Sequence, residues 1–344
     1  MLSIDTRAAR ITWTVFLVLG AIAFVYLARE PILLFIFAMF FAYMVSPVLN
    51  LVDRYTPDRV PRTVSLAVVY LLLIGIIGKV VITFGSRAIN EASNLASRLP
   101  ELIKTKGSLH DYPLLAWIEP WVPQVRQFLS DNLGSGAEQV MPLLTKAGMG
   151  LRAGLGTIVF IVLILILSFF FLKDAEELRK MLLNAVRDDA RRAMFDKILT
   201  DVNILIGEYI RALVLLSIAA FFSSLLFFEF TGMQYAVLLA SIFALFEFVP
   251  VLGPFSALVI AIIAAIFNGY PHIYAMVIFF VCYRVFQDYV LAPHLMSAGV
   301  KIHPLLVLFG VLTGEQLAGI AGMFLSIPVM ATLRIIWVHA SRNR

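Results

Sequence analysis

Four acid or amide side chains stand where so apolar a chain has few. Glu247 lies in FEFVPVLGP (246–254), Gln287 and Asp288 in CYRVFQDYVLAP (282–293), and Glu315 in LTGEQLAGIAG (312–322). Long apolar runs flank each of them. An ionisable group at membrane depth is expensive, so such positions default to ion, proton or solute handling. Arg284 precedes Asp288 by four residues, a spacing that lets the two pair along one helix face. Either that pair only locks its helix, or Asp288 and Gln287 line a path in which Asp288 exchanges a proton or a cation. Glu247, Gln287, Asp288 and Glu315 would meet if the segments carrying them converge. Glu208 and Arg211, three apart in GEYIRAL (207–213), read as an ion pair near a helix end, with a site role as the alternative, and Glu229 as a residue that reaches water.

Other chemistry is weakly supported. His110, His272, His294, His303 and His339 are scattered, without the paired spacing of a metal site. His303 precedes Pro304, so a helix-start role and proton handling both remain open. No Walker A sequence is present, and no nucleophile, base and orienting group fall together. The glycine-rich GMGLRAGLG (148–156) has no preceding strand and reads as close helix packing. The chain is expected to be neither an enzyme nor a cofactor or metal binder. Nothing suggests a nucleic-acid partner, since no basic stripe with interleaved aromatics occurs.

The elements that position these residues are unusual. The apolar region 235–268 is too long for one span and is interrupted by FEFVPVLGP. Split there, each arm is short for a full crossing, which needs about 20 residues. A re-entrant hairpin fits, its tip shaped by Pro250, Gly253 and Pro254. Pro250 removes a backbone donor, and Gly253 is expected to supply the positive φ of the turn. Region 304–338 repeats the problem, with Gly314, Glu315, Gln316, Gly319 and Gly322 at its break and Pro328 in its second arm. Each region follows one ordinary span, and the two units run in opposite senses. Inverted span-plus-hairpin units are a known transporter plan, with the site where the repeats meet. Kinked or paired short spans in an ordinary bundle are the competing architecture, and a membrane scaffold or channel-like assembly, whose glycine-rich tips only pack helices, is a competing function.

Composition supports a bilayer setting. Of 344 residues 61% are hydrophobic and 14% charged, against roughly half and a quarter in soluble domains. Full spans are expected near 11–28, 32–52, 64–84, 153–172, 208–230 and 271–292. The fold class is thus an all-α polytopic membrane protein with about six full spans plus two re-entrant helical hairpins of opposed topology. Lysine and arginine concentrate at the N-terminus, in 53–63, in 173–201 and at the C-terminus. By the positive-inside rule both termini face the cytoplasm of an inner membrane. Four regions result: spans one to three in 1–85, an extracytoplasmic amphipathic segment in 86–150, span four with a cytoplasmic amphipathic helix in 151–207, and a core in 208–344. The first span is expected to stay uncleaved. Cys282, the only cysteine, rules out an internal disulfide.

The FVPVLGP tip, GEYIRA, FQDYVLAP and the tail KIHPLLVLFGVLTGEQLAGIAGMFLSIPVMATLR resemble the AI-2E family of membrane transporters. The layout matches over nearly the whole chain; the specific similarity covers about 206–335. The resemblance aligns Pro250, Gly253 and Pro254 with the family's tip. It aligns Gln287, Asp288, Pro293, His303 and Pro304 with its later pattern, then Gly314, Gly319, Gly322 and Pro328. Pro293, Pro304, Gly319, Gly322 and Pro328 would act as helix breaks or hinges. Glu247 departs from that pattern, which has an uncharged residue there. What the resemblance implies is secondary transport of a small polar solute, autoinducer-2 among the candidates, or exchange of sodium or lithium for protons. It also implies homo-oligomers.

Overall fold

The computed structural model describes residues 6–57, 60–104, 155–295 and 303–342, with Gln124 and Gln127. Among these, every regular element is helical. Helices α1 (Thr6–Leu27) and α2 (Arg29–Tyr55) meet at Ala28, the one residue between them. The ladder nearly runs through, Ala28 N donating to Phe24 O at 2.8 Å and Ile32 N to Ala28 O at 2.9 Å. Pro31 falls in the first turn of α2, where a missing N–H costs little. Helix α3 (Arg62–Val80) passes through a π-helical stretch, Val81–Gly85, into α4 (Ser86–Lys104). The apolar span and the expected amphipathic helix are therefore joined without a loop. Apart from Gln124 and Gln127, the rest of 86–150 lies outside the described residues, as do GMGLRA and the start of the fourth span.

Helix α5 (Leu155–Lys173) packs along α2. Tyr70 on α3 donates to Ser168 on α5 at 2.8 Å, and Ser168 donates to Leu165 O, so two buried hydroxyls satisfy each other. Helix α6 (Ala175–Asn184) is followed by α7 (Asp189–Phe230). The sequence suggested one amphipathic helix over 173–207 and a separate span from 208. Instead the chain breaks before Asp189, where Asp188 caps the new helix by accepting from Arg191 N at 2.8 Å. Helix α7 then runs 42 residues without interruption. Arg179 on α6 clamps it, donating to Asp196 at 2.6 and 3.0 Å.

Helices α8 (Ala236–Phe246) and α9 (Leu252–Phe267) pack against each other across a five-residue reversal. Their lengths correspond to about 17 and 24 Å, against a hydrocarbon core of about 30 Å. Ala240, Ala257, Ala261 and Ala265 are wholly buried between them, and small side chains let backbones come close. Helix α10 (Ile273–Phe286) leads through a π-helical stretch, Gln287–Leu291, into α11 (Ala292–Leu295). Helix α12 (Pro304–Arg342) is not straight. Ala318 (φ −144°, ψ 20°) and Gly319 (φ 59°, ψ −140°) leave helical geometry in its middle. A methyl group built on Gly314 would strike the Gly322 carbonyl, and one on Gly322 the Gly314 carbonyl. Four residues further out, one on Gly310 would meet Met330 at 3.2 Å and Ser326 at 3.5 Å. The two arms therefore lie antiparallel in a second helical hairpin.

Five helices among the described residues are long and apolar enough to cross a membrane: Arg29–Tyr55, Arg62–Leu95, Asp189–Phe230, Ile273–Leu295 and Leu305–Ser341. Thr12–Ala21, Val159–Lys173 and the two arms of the first hairpin are shorter apolar helices. Large apolar side chains crowd the outside, with Ile82 73% and Phe230 83% exposed. Such a surface, on helices long enough to span a bilayer, suits contact with lipid. The molecule is a multi-pass membrane protein.

Candidate functional site

The first tip is built by two constraints. Val251 takes φ 65° and ψ −57°, and Leu252 N donates to Pro250 O at 2.7 Å across it. This is a γ-turn of the positive-φ kind, rare because it is strained. Gly253 has a different task from the expected one. It does not supply the positive φ; a side chain there would run into the Phe246 carbonyl. Glycine is needed because the chain crosses itself at the tip. Pro254 is buried in the first turn of α9, where proline fits without losing a bond. Ser217 on α7 donates to Ala244 O at 2.7 Å, satisfying a carbonyl that the end of α8 leaves open.

The reversal aims Glu247 at α10 and its π-helical extension. Gln287, 2% exposed, donates its amide to Glu247 Oε1. Arg284 Nη1 stands 3.5 Å from the same oxygen. The rest of the guanidinium forks onto Asp288, Nε to Oδ2 and Nη2 to Oδ1, both at 2.9 Å. Two tyrosines border the group: Tyr209 on α7 and Tyr283 on α10 lie close enough to feel the Glu247 charge. Tyr209 is 4% exposed and its hydroxyl has no partner. Of the residues singled out in the sequence, the structure thus joins Glu247, Arg284, Gln287 and Asp288.

It does not bring Glu315 to them. Glu315 and Gln316 are exposed at the second tip, and Gln316 shares a cavity of about 430 Å³ with Arg29 and Glu30 at the α1–α2 junction. Gly319 carries the positive φ of this tip. Gly314 and Gly322 are the points where its arms touch. Pro328 lies buried in the second arm and Pro293 exposed in α11. Pro304 opens α12, and His303 before it accepts from Leu305 N at 3.3 Å, a helix-start role. Arg211 turns back on its own helix, its Nε donating to Gly207 O at 3.0 Å.

The two hairpins nevertheless converge. Phe248 of the first tip and Phe324 of the second hairpin lie 5.7 Å apart, and Phe324 also meets Phe37 and Phe40 of α2. Beside this contact is a cavity of about 860 Å³, bounded by α2, α5, α7, Phe246–Ser256 and Ile320–Phe324. Its lining is aliphatic and aromatic apart from Ser256, whose hydroxyl donates to Leu252 O at 2.8 Å.

Two residues escaped the sequence reading. Glu91 on α4 accepts from Leu238 N at 2.8 Å, capping the first arm of hairpin one, whose own N-cap residue Tyr235 offers no side-chain bond. Arg87 holds Glu91 at 3.2 Å and reaches Glu229 at 2.6 Å, so Glu229 is paired as well as half-exposed. The i,i+4 spacing of Arg87 and Glu91 was visible, but not the distant amide they serve.

A multi-pass bundle whose discontinuous helices converge on a cavity is an architecture that membrane transporters use. The sequence matches the profile of the AI-2E family transporter over residues 14–342, and the chain belongs to that family. It is 24% identical over 313 residues to YrrI of Bacillus subtilis, named as a transport protein, covering 90% of this chain and 86% of that one. A transport protein of Methanothermobacter thermautotrophicus is 28% identical over 293 residues, 82% of this chain and 80% of its own. PerM of Escherichia coli K12, named as a permease, is 28% identical over 217 residues, 62% and 60% of the two chains.

Proposed function

We propose that the protein is a secondary transporter that exports a small organic solute by alternating access, the two hairpins moving against α2, α5 and α7. The observation that carries this reading is the convergence of both hairpins on one cavity of about 860 Å³. That size lies within the range of small-molecule sites. In this reading the hairpins are re-entrant and enter from opposite faces, the membrane is the inner one, and both termini are cytoplasmic. Autoinducer-2 is the first solute to test. The apolar lining is a poor replacement for water around its hydroxyls, so any such solute would be held by its carbon skeleton and by backbone groups at the tips.

The test is efflux of labelled autoinducer-2 from proteoliposomes under imposed proton and sodium gradients. Wild type is compared with Ala321→Trp, which fills the cavity. Saturable, gradient-dependent efflux that the variant loses supports the reading. Efflux equal in both would move the path elsewhere.

A second reading is exchange of sodium or lithium for protons. The observation favouring it is the cluster of Glu247, Arg284, Gln287 and Asp288 beside the first tip, whose carboxyls could carry the proton of such an exchange. Proton flux driven by a sodium or lithium gradient, without added solute and lost in Asp288→Asn, would select it.

A further inference from the structure

The charges beside the first tip do not cancel. Glu247 and Asp288 carry two negative charges when ionised, and Arg284 carries one positive charge. Arg284 cannot serve both carboxylates equally. Its Nε and Nη2 fork onto both oxygens of Asp288 at 2.9 Å, the strong bidentate geometry. Only Nη1 is left for Glu247, at 3.5 Å, and that nitrogen is buried without a hydrogen bond. Gln287 adds a neutral amide. Exposure is divided the opposite way to the counter-charge. The Asp288 side chain is 46% exposed and that of Glu247 10%. The uncompensated negative charge therefore falls on the more buried acid, the costly arrangement in a medium of low dielectric.

A further positive charge at Glu247 would balance the group. A metal cation suits the place poorly, because the Arg284 guanidinium already stands 3.5 Å from the oxygen it would use. Among the described residues no group of three histidine, cysteine or acidic side chains is arranged to hold a metal ion. A proton meets neither obstacle. A second observation lies nearby: Tyr209 on α7, whose hydroxyl is buried and without a partner, stands within electrostatic reach of Glu247. The groups around Glu247 are then Tyr209 on α7, Tyr283 and Arg284 on α10, and Gln287 and Asp288 on its π-helical extension.

We propose that Glu247 is the proton-exchanging carboxyl of this transporter, with Gln287 and Arg284 positioning it and Asp288 acting as the fixed partner of Arg284. The role as a coupling site rests on the transporter reading; the proton site itself does not. Glu247 sits at the end of the first hairpin arm and its partners sit on α10. Movement that parts them exposes the carboxyl and releases the proton, and reapproach of an ionised Glu247 is opposed until a proton returns.

The test is carboxyl infrared difference spectroscopy on the full-length protein in lipid, stepping the buffer from mildly acid to mildly alkaline. A carboxyl band that titrates in wild type and in Asp288→Asn, disappears in Glu247→Gln and shifts in Glu247→Asp is the expected result. A band unchanged in Glu247→Gln, or lost in Asp288→Asn instead, overturns the assignment. Glu247→Asp, which keeps the acid, guards against misfolding of the amide variant. Gradient-driven solute or cation flux is measured on the same vesicles. If Glu247 titrates and wild type moves nothing, the transporter reading fails and the proton site stands. If flux occurs and depends on the proton gradient equally in wild type and Glu247→Gln, the coupling role is overturned.

Discussion

Val251 and Gly253 show how a few atoms shape the first tip. A β-branched residue at φ 65° is strained, at a cost of about 1–3 kcal/mol. Such strain persists only where the surroundings enforce it, here the Leu252–Pro250 hydrogen bond and the crossing of Gly253 over Phe246. Val251→Gly is expected to keep the tip and raise the unfolding midpoint in detergent. Gly253→Ala should do the reverse, because its methyl group meets a backbone carbonyl that cannot swing aside. A loss of roughly 1–3 kcal/mol is expected for such overpacking. Thermal unfolding of both variants checks the pair, and a neutral Gly253→Ala would contradict the close crossing.

At the scale of elements, both hairpins depend on contacts made far away in sequence. Gly314 and Gly322 touch backbone to backbone, so either methyl group alone forces the arms of α12 apart. Once parted, the second methyl costs little. The double variant Gly314→Ala/Gly322→Ala should therefore lose clearly less stability than the sum of the singles, as a double-mutant cycle would show. Hairpin one is held from outside by α4. Glu91→Ala removes the cap on Leu238 N, worth about 1 kcal/mol for a typical N-cap. Faster amide hydrogen exchange is expected at the start of α8, with α9 unchanged.

For the whole molecule, the question is how deep the tips lie and what reaches them. Val251 is 49% exposed and Gln316 is exposed. In a Cys282→Ser background, single cysteines at these two positions should react with small water-soluble thiol reagents despite their apolar flanks. Background replacement is necessary because Cys282 is itself exposed. Reaction of the two positions from opposite faces would agree with opposed re-entrant hairpins. Two inert cysteines would put the tips against lipid, out of reach of water, and would count against a water-accessible path there.

Much of this was written in one dimension. The apolar excess called for membrane helices, and the spacing of breakers with the short arms they leave suggested helices that turn back, beside kinked or paired short spans as the alternative. Gln287 and Asp288 were conspicuous for the same reason: polar groups in apolar runs are costly, so each one stands out. Pairing across distance was not written there. The Arg284–Asp288 pair was legible in its four-residue spacing; that Glu247 would join it, that Glu315 would stand apart, and that Glu91 would cap an amide 147 residues away depend on the directions in which packed helices present their side chains. The sequence also placed the positive φ on Gly253, the residue built for it. Packing put it on Val251, because Gly253 was needed where two stretches of backbone cross. Local chemistry determined where the chain breaks; only the folded arrangement decided which groups those breaks bring together.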